Sequence, residues 1–305
     1  MLGAAAAAAS RLPSVAPEPR RVLYVSGSVS PLVVEGLQGT RFNTLILAFV
    51  YARWQRGKLA LTLNGLPGAR LGGTAANLKR LRGTRVLASL GGWGNAATFA
   101  AIQRAGVGRF LDQFEHEIAG PLGLSGMDLD LEPGTVAENT PAGWKAVHDQ
   151  HGGLLVALTN EYARRHPAHA VTHAPIAGVA ASLYARDGKL RGVHGSLIEA
   201  TAGSLSWLNV QFYEAGDPKP ETIAAFYKRE LIDPLVAARA AARWERPWER
   251  VLPGFEPRYQ GSRAACAAAL TGIAGELGPG RRPGGYFLWD YRQVRAAAAA
   301  WGALL

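Results

Sequence analysis

Three acidic residues at two-residue spacing, Asp128, Asp130 and Glu132, interrupt an apolar run that begins at Ser125. Side chains on a β-strand alternate between its faces, so the three carboxyl groups would share one face and the intervening apolar residues the other. Carboxyl groups this close repel one another and lose hydration, so at least one should have a raised pKa and hold a proton near neutrality. A protonated carboxyl beside an ionised one is suited to acid-assisted bond cleavage, as in glycoside hydrolysis.

The same alternation is also typical of a half-exposed strand at the edge of a sheet. The carboxylates would then be solvated surface groups with no chemical role. What surrounds the strand distinguishes the two interpretations, because a barrel strand is flanked by further strands and covered by helices.

The length and composition favour a protein with a large core. The chain has 305 residues, 48% of them hydrophobic, which suits one α/β barrel or two smaller domains and excludes disorder for most of the sequence. Lys and Arg number 33 against 23 Asp and Glu, a net charge of +10. The basic residues form no block longer than a pair and accompany no recognisable binding motif, so we expect no nucleic-acid partner.

Other classes of function find no support in the sequence. Cys266 is the only cysteine, which excludes an intramolecular disulfide and a Cys-based zinc site, and its alanine-rich surroundings predict a buried helix position. No segment reaches the roughly 20 apolar residues of a spanning helix, so we expect no membrane partner, and we expect a monomer. Residues 1–19 are predicted to be a flexible leader; they resemble only a weak export signal, which leaves secretion open.

Strand-like runs alternate with helical stretches along the rest of the chain. The predicted strands are residues 22–29, 44–52, 85–90, 126–132, 170–174, 207–213, 251–255 and 286–289. Helices are predicted over residues 153–165, from about 221 to 243, and from about 293. The pattern predicts an α/β protein, a single (β/α)₈ TIM barrel over residues 20–305. Catalytic groups of such barrels lie at the carboxyl ends of the strands, where Glu132 falls.

Five motifs in this order resemble glycoside hydrolase family 18, the chitinases and related endo-N-acetylglucosaminidases. They are Ser89-Leu90-Gly91-Gly92, the acidic strand from Gly126 to Glu132, Ala174-Pro175, Gln211-Phe212-Tyr213 and Trp289. The resemblance spans about residues 22–292 and implies cleavage of β-1,4 bonds between N-acetylglucosamine units without a metal or another cofactor. The partner it implies is chitin or another oligosaccharide that contains N-acetylglucosamine.

The resemblance also implies a mechanism in which the substrate's own 2-acetamido group is the nucleophile. Glu132 would protonate the leaving oxygen and later activate water, and Asp130 would orient the acetamido N–H. Asp128 would share a proton with Asp130. Tyr213 would hydrogen-bond the acetamido oxygen, and Trp289 would form an apolar floor under the sugar.

Several of these residues have a plainer interpretation. Tyr213 and Trp289 could be ordinary core aromatics, although Gln211 on the same strand face as Tyr213 would be a second inward polar group and favours a binding site. Gly91 and Gly92 could mark a strand end or allow close approach of a ligand. Trp93 could be a sugar platform or a lid over the core.

Three histidines, His166, His169 and His173, have metal-like spacing. They straddle a predicted helix end, a proline and a strand, so we do not expect one shared metal site. The glycine-rich stretch 278–285 could cradle a phosphate but is more typical of a loop before the eighth strand.

Two positions depart from the family's pattern. Ser125 stands where the family usually has an aspartate, which predicts a shifted proton balance around Asp128 and an altered pH profile. Glu214 follows Tyr213 where many relatives have Asp or Asn. Three alternatives to a chitinase stay open: an endo-β-N-acetylglucosaminidase acting on glycoprotein glycans, a chitin-binding or lectin-like barrel with altered catalysis, and association with nucleic acid or a cell surface through the net charge of +10.

Overall fold

The computed structural model describes residues 18–135, 138, 140–178, 184–187, 189–213, 222–238 and 244–305. Most of the predicted leader, residues 1–17, lies outside the described residues, as do Glu214 and residues 239–243 of the helix predicted to end at 243.

Eight parallel strands close into a barrel. The described strands are β1 (Arg20–Ser26), β2 (Thr44–Gln55), β3 (Lys58–Leu63), β4 (Arg85–Gly91), β5 (Gly126–Asp130), β6 (Ala170–His173), β7 (Tyr184–Arg186), β8 (Lys189–Arg191), β9 (Trp207–Gln211), β10 (Val251–Phe255) and β11 (Gly285–Leu288). The barrel order is β1-β2-β4-β5-β6-β9-β10-β11, and β1 pairs with β11 to close it. The predicted single (β/α)₈ TIM barrel is confirmed.

Helices pack around this barrel. The described α-helices are α1 (Pro31–Leu37), α2 (Gly72–Leu78), α3 (Ala96–Ala105), α4 (Val107–Phe114), α5 (Gly120–Leu122), α6 (Pro141–Arg165), α7 (Gly195–Thr201), α8 (Ile223–Phe226), α9 (Asp233–Ala237), α10 (Pro257–Gln260), α11 (Arg263–Leu277), α12 (Tyr291–Val294) and α13 (Ala298–Trp301). Turns of π-helix connect α4 to α5 (Glu115–Ala119) and α8 to α9 (Tyr227–Ile232), and short 3₁₀ helices span Gly68–Arg70, Pro247–Glu249 and Arg295–Ala297. None of the helices in the described ranges is long and apolar enough to cross a membrane.

The period-two pattern of the strands separates an outer core from an inner one. Met127, Leu129 and Leu131 belong to the large apolar cluster between the barrel and its helices. A smaller cluster, which includes Tyr24 and Phe287, fills the barrel interior. Since the acidic residues of β5 alternate with the outward-facing apolar ones, they face the interior. β5 is also flanked by β4 and β6, which rules out the edge-strand interpretation.

Several predicted boundaries are wrong. The acidic strand was predicted to reach residue 132 but ends at Asp130. β2 runs on to Gln55, beyond the barrel, and pairs antiparallel with β3, which was not predicted. α6 begins at Pro141 rather than 153, because the Thr140 hydroxyl accepts a hydrogen bond from Gly143 N and caps the helix, and Pro141 fits its first turn.

Candidate active site

The acidic series lies at the carboxyl end of β5, inside the barrel. Asp128 and Asp130 belong to the strand, and Glu132 follows two residues after its end. The exposed fractions of these residues are 0% for Asp128, 4% for Asp130 and 7% for Glu132. Because the eight barrel strands are parallel, their carboxyl ends meet at the same rim, where these groups lie.

Asp128 is the most heavily hydrogen-bonded of the three. Its Oδ2 accepts from the hydroxyls of Tyr24 (3.0 Å) and Ser89 (2.7 Å). Its Oδ1 accepts from the Thr172 hydroxyl (2.5 Å) and from Asn209 Nδ2 (3.3 Å). The four donors come from four different strands, so the carboxyl group is fixed at the barrel axis.

Burial and hydrogen bonding act in opposite directions on this carboxyl group. Burial raises the pKa of Asp128, and the hydrogen bonds, which favour the ionised form, oppose the rise. Burial and the nearby Asp128 raise the pKa of Tyr24 well above its usual value, so the Tyr24 hydroxyl keeps its proton and remains a donor. Asp128 is thus a buried carboxyl group whose position is fixed by four donors.

Gln211 connects Asp130 to the end of β6. Its Nε2 donates to Asp130 Oδ1 (3.1 Å) and to the carbonyl oxygen of Ala174 (2.8 Å). Gln211 is itself buried on β9. The structure therefore brings three residues of the predicted site, Asp130, Ala174 and Gln211, into one hydrogen-bonded unit, which satisfies the buried amide that the sequence alone left unexplained.

Aromatic side chains cover the same end of the barrel. Trp289 and Phe49 are half-buried and stack with ring centroids 5.4 Å apart, and the Trp289 ring meets the edge of Tyr24 at 5.6 Å. Tyr213 is buried and contacts Phe287 edge-on, with ring centroids 6.1 Å apart. Trp289 and Phe49 thus form an apolar platform beside the carboxyl groups. Such a platform suits a ligand ring that has one apolar face.

The loop after β4 is joined to the acidic strand by its backbone. Gly92 N donates to the carbonyl oxygen of Asp130 (2.8 Å), and Gly94 N donates to that of Pro133 (3.2 Å). Trp93 on this loop is half-buried, and its carbonyl oxygen accepts a hydrogen bond from Asn95 Nδ2. The loop that carries Trp93 is therefore fixed beside the end of the acidic strand.

Gly91 is required by the barrel wall. Its φ is +104°, and a Cβ atom there would lie 2.2 Å from the Asp130 carbonyl oxygen and 2.7 Å from the Phe99 ring. At Gly92 a Cβ would lie 2.6 Å from the Phe49 ring. The two glycines therefore allow close packing of β4 against β5 and of the platform against β4. This packing requires glycine at both positions whether or not a ligand binds.

The substitution Gly91→Ala is expected to destabilise the fold by about 1–3 kcal/mol more than Gly39→Ala. Gly39 also has a positive φ (+75°), but nothing lies within 4 Å of its Cβ position. Both substitutions carry a backbone cost for a positive φ, so most of their difference reports the clash with Asp130 and Phe99. Urea unfolding of both variants measures it, and equal losses would show that the wall can relax.

Four residues of the site escaped the sequence analysis, namely Tyr24, Phe49, Thr172 and Asn209. Asn209 had a usable signal, since it shares the two-residue spacing of Gln211 and Tyr213 and hence the inward face of β9. Thr172 is the direct pairing partner of Asp128 on β6, whereas Tyr24 and Phe49 lie on β1 and β2, which are not adjacent to β5.

The prediction for Ser125 is corrected by its position. Ser125 is an odd number of residues from Asp128, so it faces away from the acidic series, at the start of β5. Its hydroxyl accepts a hydrogen bond from Val86 N (3.2 Å) and lies 3.3 Å from the Val86 carbonyl oxygen. Ser125 is not among the four donors to Asp128, so the physical basis for an altered proton balance disappears.

The three histidines with metal-like spacing divide between two places. His166 and His169 stack at 4.8 Å, and His166 Nε2 lies 3.0 Å from a Glu115 carboxylate oxygen. His173 instead pairs with His194 (3.1 Å). Among the described residues, no group of three or more His, Cys, Asp or Glu side chains could hold a metal ion.

Cys266 is buried in α11, where burial raises its pKa to about 12.

Comparison of the sequence with protein-family models and with curated proteins gives no match. Comparison of the structure does. A chitinase of glycoside hydrolase family 18 from Pseudoalteromonas aurantia is 18% identical, with 93% of this chain and 97% of that chain covered and a TM-score of 0.63. A fungal endo-β-N-acetylglucosaminidase of the same family is 19% identical, with 94% and 98% covered and a TM-score of 0.60.

A Cycas revoluta chitinase of family 18, solved as a mutant in complex with (GlcNAc)₄, is 17% identical, with 93% of this chain and 98% of that chain covered and a TM-score of 0.56. These likenesses extend over nearly the whole of each chain, so they concern the complete barrel. The chain therefore has the fold of the glycoside hydrolase family 18 chitinases.

Proposed function

We propose that this protein hydrolyses β-1,4 bonds between N-acetylglucosamine units with retention of anomeric configuration. The observation that carries the proposal is the buried acidic series at the carboxyl end of β5, with Asp128 held by four hydrogen bonds and Asp130 held by Gln211. The fold of family 18 chitinases supports it, and so does the aromatic platform beside the series.

In the proposed reaction the substrate supplies its own nucleophile. Glu132 donates its proton to the glycosidic oxygen, the carbonyl oxygen of the 2-acetamido group bonds to the anomeric carbon, and the aglycone leaves as an alcohol. Glu132, now ionised, takes a proton from water as that water opens the oxazolinium ion, which regenerates the acid and the acetamido group. Both substitutions invert the anomeric carbon, so the net result is retention.

The neighbouring groups stabilise and orient this intermediate. Asp130 accepts the acetamido N–H and offsets the positive charge of the oxazolinium ion, and Asp128 takes up or releases a proton as Asp130 changes its charge. The Tyr213 hydroxyl positions the acetamido oxygen, a role that Gln211, bonded to Asp130, supports from the same strand. Trp289 and Phe49 hold the C–H face of the sugar.

An endo-β-N-acetylglucosaminidase acting on glycoprotein glycans is the second candidate. It needs the same acid and the same acetamido chemistry, and the structural similarity to the fungal endo-β-N-acetylglucosaminidase favours it. A catalytically altered, lectin-like barrel receives less support. The observation that suggested it was Ser125 in place of an aspartate, and Ser125 faces away from the acidic series.

Product analysis on a series of N-acetylglucosamine oligomers tests the proposal. We expect shorter oligomers whose newly formed reducing ends are initially in the β-configuration, as seen by proton NMR. A glycoprotein carrying N-linked glycans, assayed in parallel by mass spectrometry, separates the two enzymatic candidates. Binding of oligomers by folded protein without turnover at any pH would contradict both and would support the lectin-like alternative.

The substitution Ser125→Asp is expected to leave the pH profile of hydrolysis unchanged. It removes the hydroxyl that bonds the Val86 backbone, so it should instead cost about 1 kcal/mol of stability. Initial rates across the pH range and urea unfolding measure the two effects separately. A displaced pH optimum in a variant of unchanged stability would restore the original prediction that this position sets the proton balance.

A further inference from the structure

A groove of about 790 Å³ lies at the end of the barrel opposite the acidic site. Its walls are the segments that immediately precede β1, β2 and β4, within residues 18–21, 37–43 and 80–84. These three strands are neighbours in the barrel, so the groove crosses three adjacent strand starts. The groups proposed for hydrolysis lie at the carboxyl ends of the strands, so the groove is separate from them.

The groove is held in shape by the Asn43 side chain and backbone. Asn43 Oδ1 accepts from Arg21 N (2.9 Å), and Asn43 Nδ2 donates to the Pro19 carbonyl oxygen (3.0 Å). Arg85 N donates to the Asn43 carbonyl oxygen (2.9 Å), and the Thr40 hydroxyl bonds the carbonyl of Leu37 (2.8 Å). These hydrogen bonds connect the three wall segments to one another, so the shape of the groove does not depend on a ligand, as in most small-molecule sites.

The charged residues of the groove are almost all of one sign. Four arginines and one glutamate line it: Arg21, Arg41, Arg80, Arg82 and Glu18. Arg41, Arg80 and Arg82 are exposed, and none forms an ion pair within the part of the chain that the structure describes. The Glu18 carboxylate is 77% exposed and lies 3.9 Å from Arg21 Nη1, so it offsets at most one of the four positive charges.

Arg21 adds a buried donor to this groove. Its side chain is only 11% exposed, and its Nη2 donates to the Leu305 carbonyl oxygen (3.2 Å). Its Nε is buried and has no hydrogen-bond partner among the described residues. Arg21 therefore contributes a positive charge that is held in place in the groove wall.

Further arginines at the barrel floor add to the positive potential at this end. The guanidinium groups of Arg20 and Arg85 lie 4.8 Å and 5.9 Å from the centre of the Trp207 ring. Burial, followed by repulsion from Arg250 and Arg85, lowers the pKa of Arg20 to about 10. Arg20, Arg85 and Arg250 add positive charge at this end of the barrel, which Glu249 partly offsets.

We propose that this groove binds a small phosphorylated molecule that carries at least two negative phosphoryl charges. Guanidinium groups form paired hydrogen bonds with phosphoryl oxygens, and four of them exceed what a single carboxylate would use. The volume falls within the range of about 300–1,000 Å³ typical of small-molecule sites. Oligomers of N-acetylglucosamine are uncharged, so the site goes beyond the proposed hydrolysis.

Calorimetric titration of the full chain with inorganic pyrophosphate at low ionic strength tests the proposal. We expect one site per chain, and we expect Arg41→Ala/Arg82→Ala to weaken binding by about 10-fold or more for each arginine removed. The matched control is Arg53→Ala/Arg70→Ala, which removes the same charge from exposed positions outside the groove. It is expected to bind pyrophosphate within about twofold of wild type, since only screened long-range charge is lost.

Three results would overturn the proposal: no binding to wild type, equal weakening in both double variants, or a groove-dependent preference for anionic lipid vesicles or single-stranded DNA over pyrophosphate. The last would assign the groove to a macromolecular surface. Hydrolysis of oligomers is expected to be unchanged in the groove variant. The binding result can therefore be interpreted even if the protein does not hydrolyse these oligomers.

Discussion

Glu132→Gln is expected to reduce turnover of N-acetylglucosamine oligomers by about 10²- to 10⁴-fold. The amide keeps the shape of the side chain but has no acidic proton for the glycosidic oxygen. It also cannot accept the proton of the attacking water, so both halves of the reaction are affected. Binding should be retained, because the platform and the acetamido contacts do not depend on the Glu132 proton.

The matched control is Glu138→Gln. Glu138 is exposed, and its carboxylate accepts a hydrogen bond from Gly134 N at 2.9 Å on the loop that follows the acidic strand. Rates from single-turnover kinetics and dissociation constants for an oligomer, measured on both variants, separate chemistry from binding. A Glu132→Gln protein that keeps more than about a tenth of wild-type turnover would remove Glu132 from the role of acid.

The sequence predicted the parts of the site that follow from strand periodicity. The alternation of Asp128, Asp130 and Glu132 with leucines predicted an inward acidic face, and the eight-strand pattern predicted the barrel that closes over it. The same rule, applied to Gln211, predicted an inward amide that needs a partner, and the structure supplies Asp130. These predictions succeed because a two-residue period is local to one strand.

Contacts made across the closed barrel lay beyond the sequence. Tyr24 is 104 residues from Asp128 along the chain, and nothing local to β1 indicates which carboxyl it will bond. The stacking of Phe49 on Trp289 likewise depends on the end of β2 meeting the end of β11. The prediction for Ser125 failed for a different reason. Its odd spacing from Asp128 already placed it on the outer face, so the error lay in applying the motif without the alternation of the strand.

A second large effect concerns acid stability and arises from histidines that the proposed reaction does not use. His148 on α6, His173 on β6 and His194 before α7 are buried together. His173 Nδ1 lies 3.1 Å from His194 Nε2, and His173 Nε2 lies 2.8 Å from the Thr159 hydroxyl. Within the part of the chain that the structure describes, both ring nitrogens of His148 and Nδ1 of His194 have no hydrogen-bond partner. The Lys145–Asp149 ion pair is exposed at the surface of the same helix.

Burial favours the neutral form of all three imidazoles. It lowers the pKa of His148 to about 4 and, with repulsion from His148, that of His173 to about 3; His194 shifts in the same direction. In the unfolded chain these groups titrate near 6.5, so below that pH the unfolded state binds more protons than the folded one. Stability therefore falls as the pH falls from about 6.5, and the loss continues until the folded-state pKa values are reached.

We expect the free energy of unfolding to decrease by about 4 kcal/mol per pH unit once all three unfolded-state histidines are charged, enough to exhaust a typical 5–15 kcal/mol within a few units. His148→Phe removes one titrating ring and two unpartnered nitrogens, so it should reduce that slope by about 1.4 kcal/mol per pH unit and cost little at neutral pH. Urea unfolding between pH 7 and pH 4 measures both quantities, with His116→Gln, an exposed histidine, as the control that keeps the wild-type slope. A wild-type stability that stays constant over this range would contradict burial of the neutral rings. Hydrolysis requires the folded protein, so His148→Phe should also extend activity to lower pH without changing the rate at neutrality.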